Sequence, residues 1–220
     1  MSNDPFAVSD AMQEMRAEWA ITEPLMGGTL AMRKAGKALL PKHPAEEDTA
    51  YSERLSVATL FPAYSETVGS MTDRVFAEPI QLGEDVPPEL QKFAADIDRQ
   101  RNDLNAWGVN WFRVGLSHGL CHALVEYPKA EGVRTKAEEA AGLRPYVVMV
   151  HPMQILGWRD DGTKLTQVRY LESVTEADGD FGTIKVEQVR VLEPGTWKIY
   201  RRSKDGTVLH DEGVTSLSVI

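Results

Sequence analysis

The chain has 220 residues, 24 basic and 33 acidic, for a formal net charge of −9. At roughly 150 residues per domain this is one or two domains, and 42% hydrophobic with 26% charged residues excludes wholesale disorder. The acidic balance excludes a protein that wraps nucleic acid in a basic groove, since phosphate binding needs clustered Lys and Arg. The acidity is uneven: residues 1–144 carry a net −7 and residues 145–220 a net −2. A single cysteine, Cys121, excludes an intramolecular disulfide and fits a reducing compartment. The first residues lack the apolar run of a secretory signal, and no stretch reaches the ~18 apolar residues of a membrane span.

Residues 1–118 read as a helical region. Met12, Met15 and Trp19 recur at helical spacing, and Pro24 with Gly27-Gly28 is expected to break that segment. Thr29 is a candidate cap for a helix running to Leu40, stopped by Pro41 and Pro44. Asp48 or Thr49 caps the next helix, with Tyr51, Leu55 and Ala58 on one face. Pro62 interrupts it, and a second helix then runs to about Phe76 through Val68, Met71 and Val75. Pro87-Pro88 opens a helix with Leu90, Phe93, Ala94 and Ile97 on its face. Asn105 caps or bends the chain into a helix striped by Trp107, Trp111, Val114 and His118.

Residues 119–220 read as β-rich. At Gly119 the period changes, and Leu120 to Tyr127 reads as a strand ended by Pro128. A charged insert follows, with a short helix near 135–142. Tyr146–Val150 is an apolar strand, Asp160-Asp161-Gly162 a turn, and Leu165–Leu171 a strand. In Thr183–Leu192 the apolar residues shift phase from Ile184 and Val186 to Val189 and Val191, which predicts a bulge. Thr196–Arg202, a turn at Ser203–Gly206, and Thr207–His210 read as a hairpin. The alternating end, Ser216 to Ile220, predicts a strand and a chain that continues in a longer protein. The fold class expected is therefore α+β, helices first and mostly antiparallel strands after.

The chemistry-bearing patterns are thin. Gly27-Gly28-Thr29 with Gly36-Lys37 lacks the spacing of a phosphate loop, and Ala38 stands where that loop needs Ser or Thr. His118, Cys121 and His122 have helical metal-ligand spacing, but a helix-to-strand change at Gly119 would point them apart. Ser117 or Cys121 beside His118 would make a nucleophile only with partners from elsewhere in the fold. Asp96/Asp98 and Asp160/Asp161 read as a solvated helix face and a turn. The five tryptophans, at 19, 107, 111, 158 and 197, read first as packing residues, although tryptophan also stacks on bases. Arg201-Arg202 beside Lys204 is a small basic cluster that reads first as a solvated turn, although it is able to meet a phosphate or a neighbouring subunit. No catalytic, cofactor or metal residue is assigned, and no DNA-contacting residue is identifiable.

Four stretches in order resemble a family of tailed-bacteriophage portal-like proteins: Trp19–Pro41, Tyr51–Pro79, Gly119–Pro128 and Arg144–Trp158, with a weaker continuation at Leu165–Glu172 and Val186–Tyr200. The resemblance rests on packing positions and their order over nearly the whole chain. It implies the wing-forming N-terminal half of a portal, a structural subunit without enzymatic activity or cofactor. It further implies a ring of about a dozen copies at one capsid vertex of the virion, assembled in the host cytoplasm. Double-stranded DNA would pass through that ring without sequence specificity during packaging and ejection. The implied partners are sister subunits, the terminase motor, the capsid or scaffold protein and a head–tail adaptor, with no membrane. Two rival readings are a different virion component, such as an adaptor or minor head protein, and a small soluble metal-dependent or hydrolytic enzyme.

Overall fold

A computed structural model describes residues 4–127, 144–204 and 206–215. The expected insert helix near 135–142 and the final strand at 216–220 lie outside these residues. The fold is α+β: among the described residues, six α-helices, mostly N-terminal, are followed by antiparallel sheets. The chain divides into two compact units, Met1–Glu18 with His151–Ile220, and Trp19–Val150. This division does not follow the 118/119 boundary read from the sequence. The first two strands group with the helices, and the N-terminal residues group with the large sheet.

In the unit Trp19–Val150, helix α1 (Asp10–Met26, entering from the other unit) continues through Pro24 and does not break there. Pro24 sits in the last turn, so the one ladder bond it forfeits lies where the helix is ending. Helix α2 is shorter than expected, Gly28–Ala35, and a 3-10 turn occupies Gly36–Ala38. Thr29 does not cap it; the hydroxyl accepts from the Leu60 amide at 3.1 Å and ties α2 to a later loop. Helices α3 (Asp48–Val57) and α4 (Ala63–Val75) flank Pro62, as the sequence predicts. Neither Asp48 nor Thr49 caps α3, whose preceding residue is Glu47.

Helix α5 is brief, Pro88–Ala94, so Asp96 and Asp98 are not on a helix face. They organise the loop that follows. Asp98 accepts from the Gln100 amide at 2.8 Å and from the Asn102 side chain at 2.6 Å. Asp96 accepts from Arg144, whose guanidinium also lies over the Phe93 ring. Helix α6 (Leu104–His118) is capped by Asp103, which accepts from the Ala106 amide at 2.7 Å, not by Asn105. Asn105 instead accepts from the Ile80 amide. The segment after α4 approaches α6 closely at Gly108, where an added Cβ would stand 3.0 Å from Ile80. The Phe76 and Phe112 rings meet edge to face beside it. Gly119, at φ 81, ends α6 in the left-handed conformation and turns the chain into β1 (His122–Glu126). Strand β1 pairs antiparallel with β2 (Tyr146–Val150), and the Val147 amide bonds the Ile97 carbonyl at 2.9 Å.

In the other unit, five antiparallel strands follow in sequence order: β3 (Ile155–Asp160), β4 (Leu165–Asp178), β5 (Gly182–Glu193), β6 (Thr196–Ser203) and β7 (Gly206–Val214). Leu156, Val189 and Val191 form the core of one face, and Phe6 and Val8 of the N-terminal segment pack on it with Leu171 and Tyr200. The Ser9 amide anchors that segment on the Leu156 carbonyl at 2.8 Å. Arg16, from the first part of α1, donates to the Met153 and Ile155 carbonyls.

The bulge expected within Thr183–Leu192 is absent. Strand β5 pairs with β4 in unbroken register from Leu192 to Gly182. The phase shift has another cause. Beyond Glu172 and Gln188 no third strand pairs with this hairpin among the described residues. Val189 and Val191 face the core of the sheet, while Ile184 and Val186 lie on the opposite face of a two-stranded ribbon. The strand keeps its faces, and what packs on them changes. Irregular register does occur at Ile155/Gly157, Arg159/Asp160 and Ile199/Tyr200.

Candidate functional site

The C-terminal end of α6 carries a polar cluster. The Ser117 hydroxyl lies 2.7 Å from His118 Nδ1, and His118 Nε2 lies 2.7 Å from a Glu23 carboxylate oxygen. The His118 imidazole thus bridges Ser117 and Glu23. These distances form a serine–histidine–carboxylate chain of the kind that activates a nucleophile. The same residues also close the end of α6. Ser117 and His118 are buried, and the Ser117 hydroxyl also lies 2.9 Å from the Val114 carbonyl, one turn back. The last carbonyls of α6, which have no partner inside the helix, are taken by aromatic donors. Trp19 Nε1 donates to the His118 carbonyl at 2.9 Å, and the Tyr64 hydroxyl donates to the Ser117 carbonyl at 2.7 Å. The Trp19 indole meets the His118 ring edge to face. The cluster joins α1, α4 and α6 at one point.

The other sequence candidates disperse. His118 ends α6, Cys121 lies in the link, and His122 opens β1. The three do not bring their ligand atoms together. Burial pushes the Cys121 thiol up to about 11, far from a reactive thiolate at neutral pH. Burial also pushes the His122 pKa down, and its buried Nδ1 has no hydrogen-bond partner among the described residues. Lys37 lies over the Tyr51 ring and not in a phosphate loop. Trp107 and Trp111 stack on each other with ring centres 6.0 Å apart. Asp160-Asp161-Gly162 is the turn expected, and Asp161 accepts from the Thr163 hydroxyl and from the Thr163 and Lys164 amides. Those bonds hold its carboxyl at about 2. Arg201 and Arg202 do not act together. Arg201 bonds Gln188 and Glu176, while Arg202 lies over the Phe6 ring on the opposite face of β6.

A different basic cluster emerges on the large sheet. A cleft of about 220 Å³ is lined by Arg159, Arg169 and Lys198, with Gln167, Val191, Glu193, Tyr200, Asp4 and Pro5. Register builds it: Arg159 opposes Gln167, Arg169 opposes Val191, and Val191 opposes Lys198. Arg169 donates to the Pro5 carbonyl at 2.9 Å. Burial, with the neighbouring Arg159 charge, lowers its pKa despite Asp4 nearby. Glu193 accepts from Gln167 at 2.8 Å. Arg159 and Lys198 make no ion pair among the described residues. Sequence reasoning missed this cluster because its three cations are 10 and 29 residues apart. Only period-two parity plus the strand register aligns them.

No helix among the described residues is long and apolar enough to cross a membrane. No family model matches the chain, and no curated protein is similar to it.

Proposed function

We propose that this chain is a structural ring subunit of the tailed-phage portal type, a head–tail connector through which double-stranded DNA is packaged and ejected. The observation that carries the reading is where the resembling stretches meet. Trp19 belongs to the first stretch and Tyr64 to the second. Both close on the Ser117 and His118 carbonyls, directly before the third stretch begins at Gly119. The positions that carry the resemblance are thus the joints of a helical framework, which suits a subunit whose work is mechanical. The serine–histidine–glutamate chain serves that joint in this reading and carries no catalysis, and no cofactor is needed.

In this reading about twelve copies close a ring by a heterologous contact, each copy using two different surfaces. The partners are the terminase motor, the capsid or scaffold protein and a head–tail adaptor, at the portal vertex of the virion. The acidic charge suits a conduit, because strong counterion-releasing contacts would hold DNA where it must slide.

Negative-stain microscopy and native mass spectrometry of the purified protein test this. Closed rings of about a dozen copies are the expected result. Only monomers and dimers at high concentration, with the phage partners present, would overturn it. One or two copies per mature particle would instead assign an adaptor or minor head protein.

A further inference from the structure

The β4–β5 hairpin extends beyond the rest of the large sheet. The two strands have 14 and 12 residues, against a usual ~5–6. Strand β3 pairs with β4 only as far as Tyr170, and β6 pairs with β5 only from Gln188 onward. The pairs from Ser173/Glu187 to Asp178/Gly182 therefore form a two-stranded arm, ~20 Å long at the strand rise. Its root is fixed by a polar ladder across three strands. Gln188, which is buried, donates to Glu172 and accepts from Arg201, and Arg201 also donates to Glu176. An isolated hairpin is marginal in water, and this one ends in Asp178-Gly179-Asp180-Phe181-Gly182, with Phe181 fully exposed. The Asp178 and Asp180 carboxylates form no hydrogen bond or ion pair among the described residues.

The cationic cleft lies at the other end of the same sheet. Gln167, which lines it, and Asp178, at the tip, are eleven residues apart on β4. At the strand rise that is ~36 Å, so an arm cannot reach the cleft of its own chain. The cleft supplies what the tip lacks. Arg159 and Lys198 form no ion pair among the described residues, although Asp4 and Glu193 also line the cleft, and Tyr200 and Pro5 give an aromatic ring apolar contact. Guanidinium groups also stack on aromatic faces.

We propose that the acidic, Phe181-tipped arm of one copy seats in the Arg159–Arg169–Lys198 cleft of a second copy. Asp178 and Asp180 pair with the cations, and Phe181 packs on the cleft wall. Donor and acceptor surfaces are at opposite ends of one sheet, so the contact is head-to-tail. Such contacts build rings when the rotation closes. The inference deepens the ring reading above by naming its subunit contact.

Charge reversal on the full chain tests it, followed by sedimentation velocity. D178K/D180K alone, and R159E/K198E alone, are each expected to raise the midpoint concentration of assembly at least tenfold. Combining all four changes is expected to restore assembly. Circular dichroism checks that the exposed substitutions leave the fold intact. In a second experiment, D180C/K198C is oxidised and run without reductant. A ladder extending past the dimer supports the contact, whereas monomers alone or a ladder ending at the dimer would overturn it. Wild-type rings that persist in D178K/D180K would overturn the contact and leave the portal reading standing. A ladder from a chain that never gives rings in micrographs would sink the portal reading and leave the contact. R159E/K198E that assembles normally but loses duplex-DNA binding in anisotropy would assign the cleft to nucleic acid and overturn the proposal.

Discussion

Trp197 and Gly213 are cross-strand partners in β6 and β7, and an added Cβ at Gly213 would stand 2.6 Å from the indole. The ring lies over the glycine and covers the backbone there. Gly213→Ala forces the indole off its seat, and a loss of ~1–3 kcal/mol is expected for such overpacking, read as a lower urea midpoint with unchanged slope. Cys121 reports burial chemically. With its pKa pushed up to about 11, the native thiol alkylates far more slowly at pH 8 than the thiol of the urea-unfolded chain. Equal rates would contradict the placement. His122 gives the pH dependence. Burial lowers its pKa below the ordinary 6.5, so the unfolded chain takes up the proton first as pH falls. Its contribution to stability is complete above the unfolded pKa and is lost as pH falls through the lowered folded value. His122→Phe is expected to flatten the fall in urea midpoint between pH 7 and pH 5. None of these roles is visible residue by residue in the sequence. A glycine, a cysteine and a histidine carry no mark of what will lie against them.

At the scale of elements, the joint at the end of α6 makes the clearest demand. Tyr64→Phe removes the donor to the Ser117 carbonyl and is expected to cost ~1 kcal/mol, as is loss of the Trp19 donor to its neighbour. Because both close the same helix end, a double-mutant cycle is expected to show coupling; strict additivity would mean the two bonds do not form one joint. Helix positions were mostly legible, because apolar residues at helical spacing and prolines between them are local signals. The capping residue of α6 was not. Asp103 and Asn105 are both good caps by type, and the Ile80 amide across the fold claims Asn105. The apolar phase shift in β5 is real, but it comes from a change in what covers the strand and not from a bulge. Alternation tells which residues share a face, but not which neighbouring strands are present to cover that face. Only the register shows that the hairpin outruns the sheet.

For the whole molecule, charge and length had suggested an acidic protein of one or two domains that does not wrap DNA. The structure gives that acidity a distribution. The large sheet presents Asp178 and Asp180 at the hairpin tip and Arg159, Arg169 and Lys198 in the cleft, although its stretch of chain is nearly neutral overall. Assembly through that contact is expected to weaken as salt rises, since exposed ion pairs are screened within ~8–10 Å at moderate ionic strength. Insensitivity of the sedimentation profile to salt would argue against an electrostatic joint. The sequence by itself determined the class of fold: helical periods, then alternating strands, with turns at Gly119, Gly162 and Gly206, because these depend on neighbours a few residues away. Only the tertiary structure decided how the chain divides and which charges meet. The N-terminal segment joins a sheet 150 residues later, and Arg159, Arg169 and Lys198 converge from three strands. Those contacts depend on register and packing between distant segments, which no local pattern encodes.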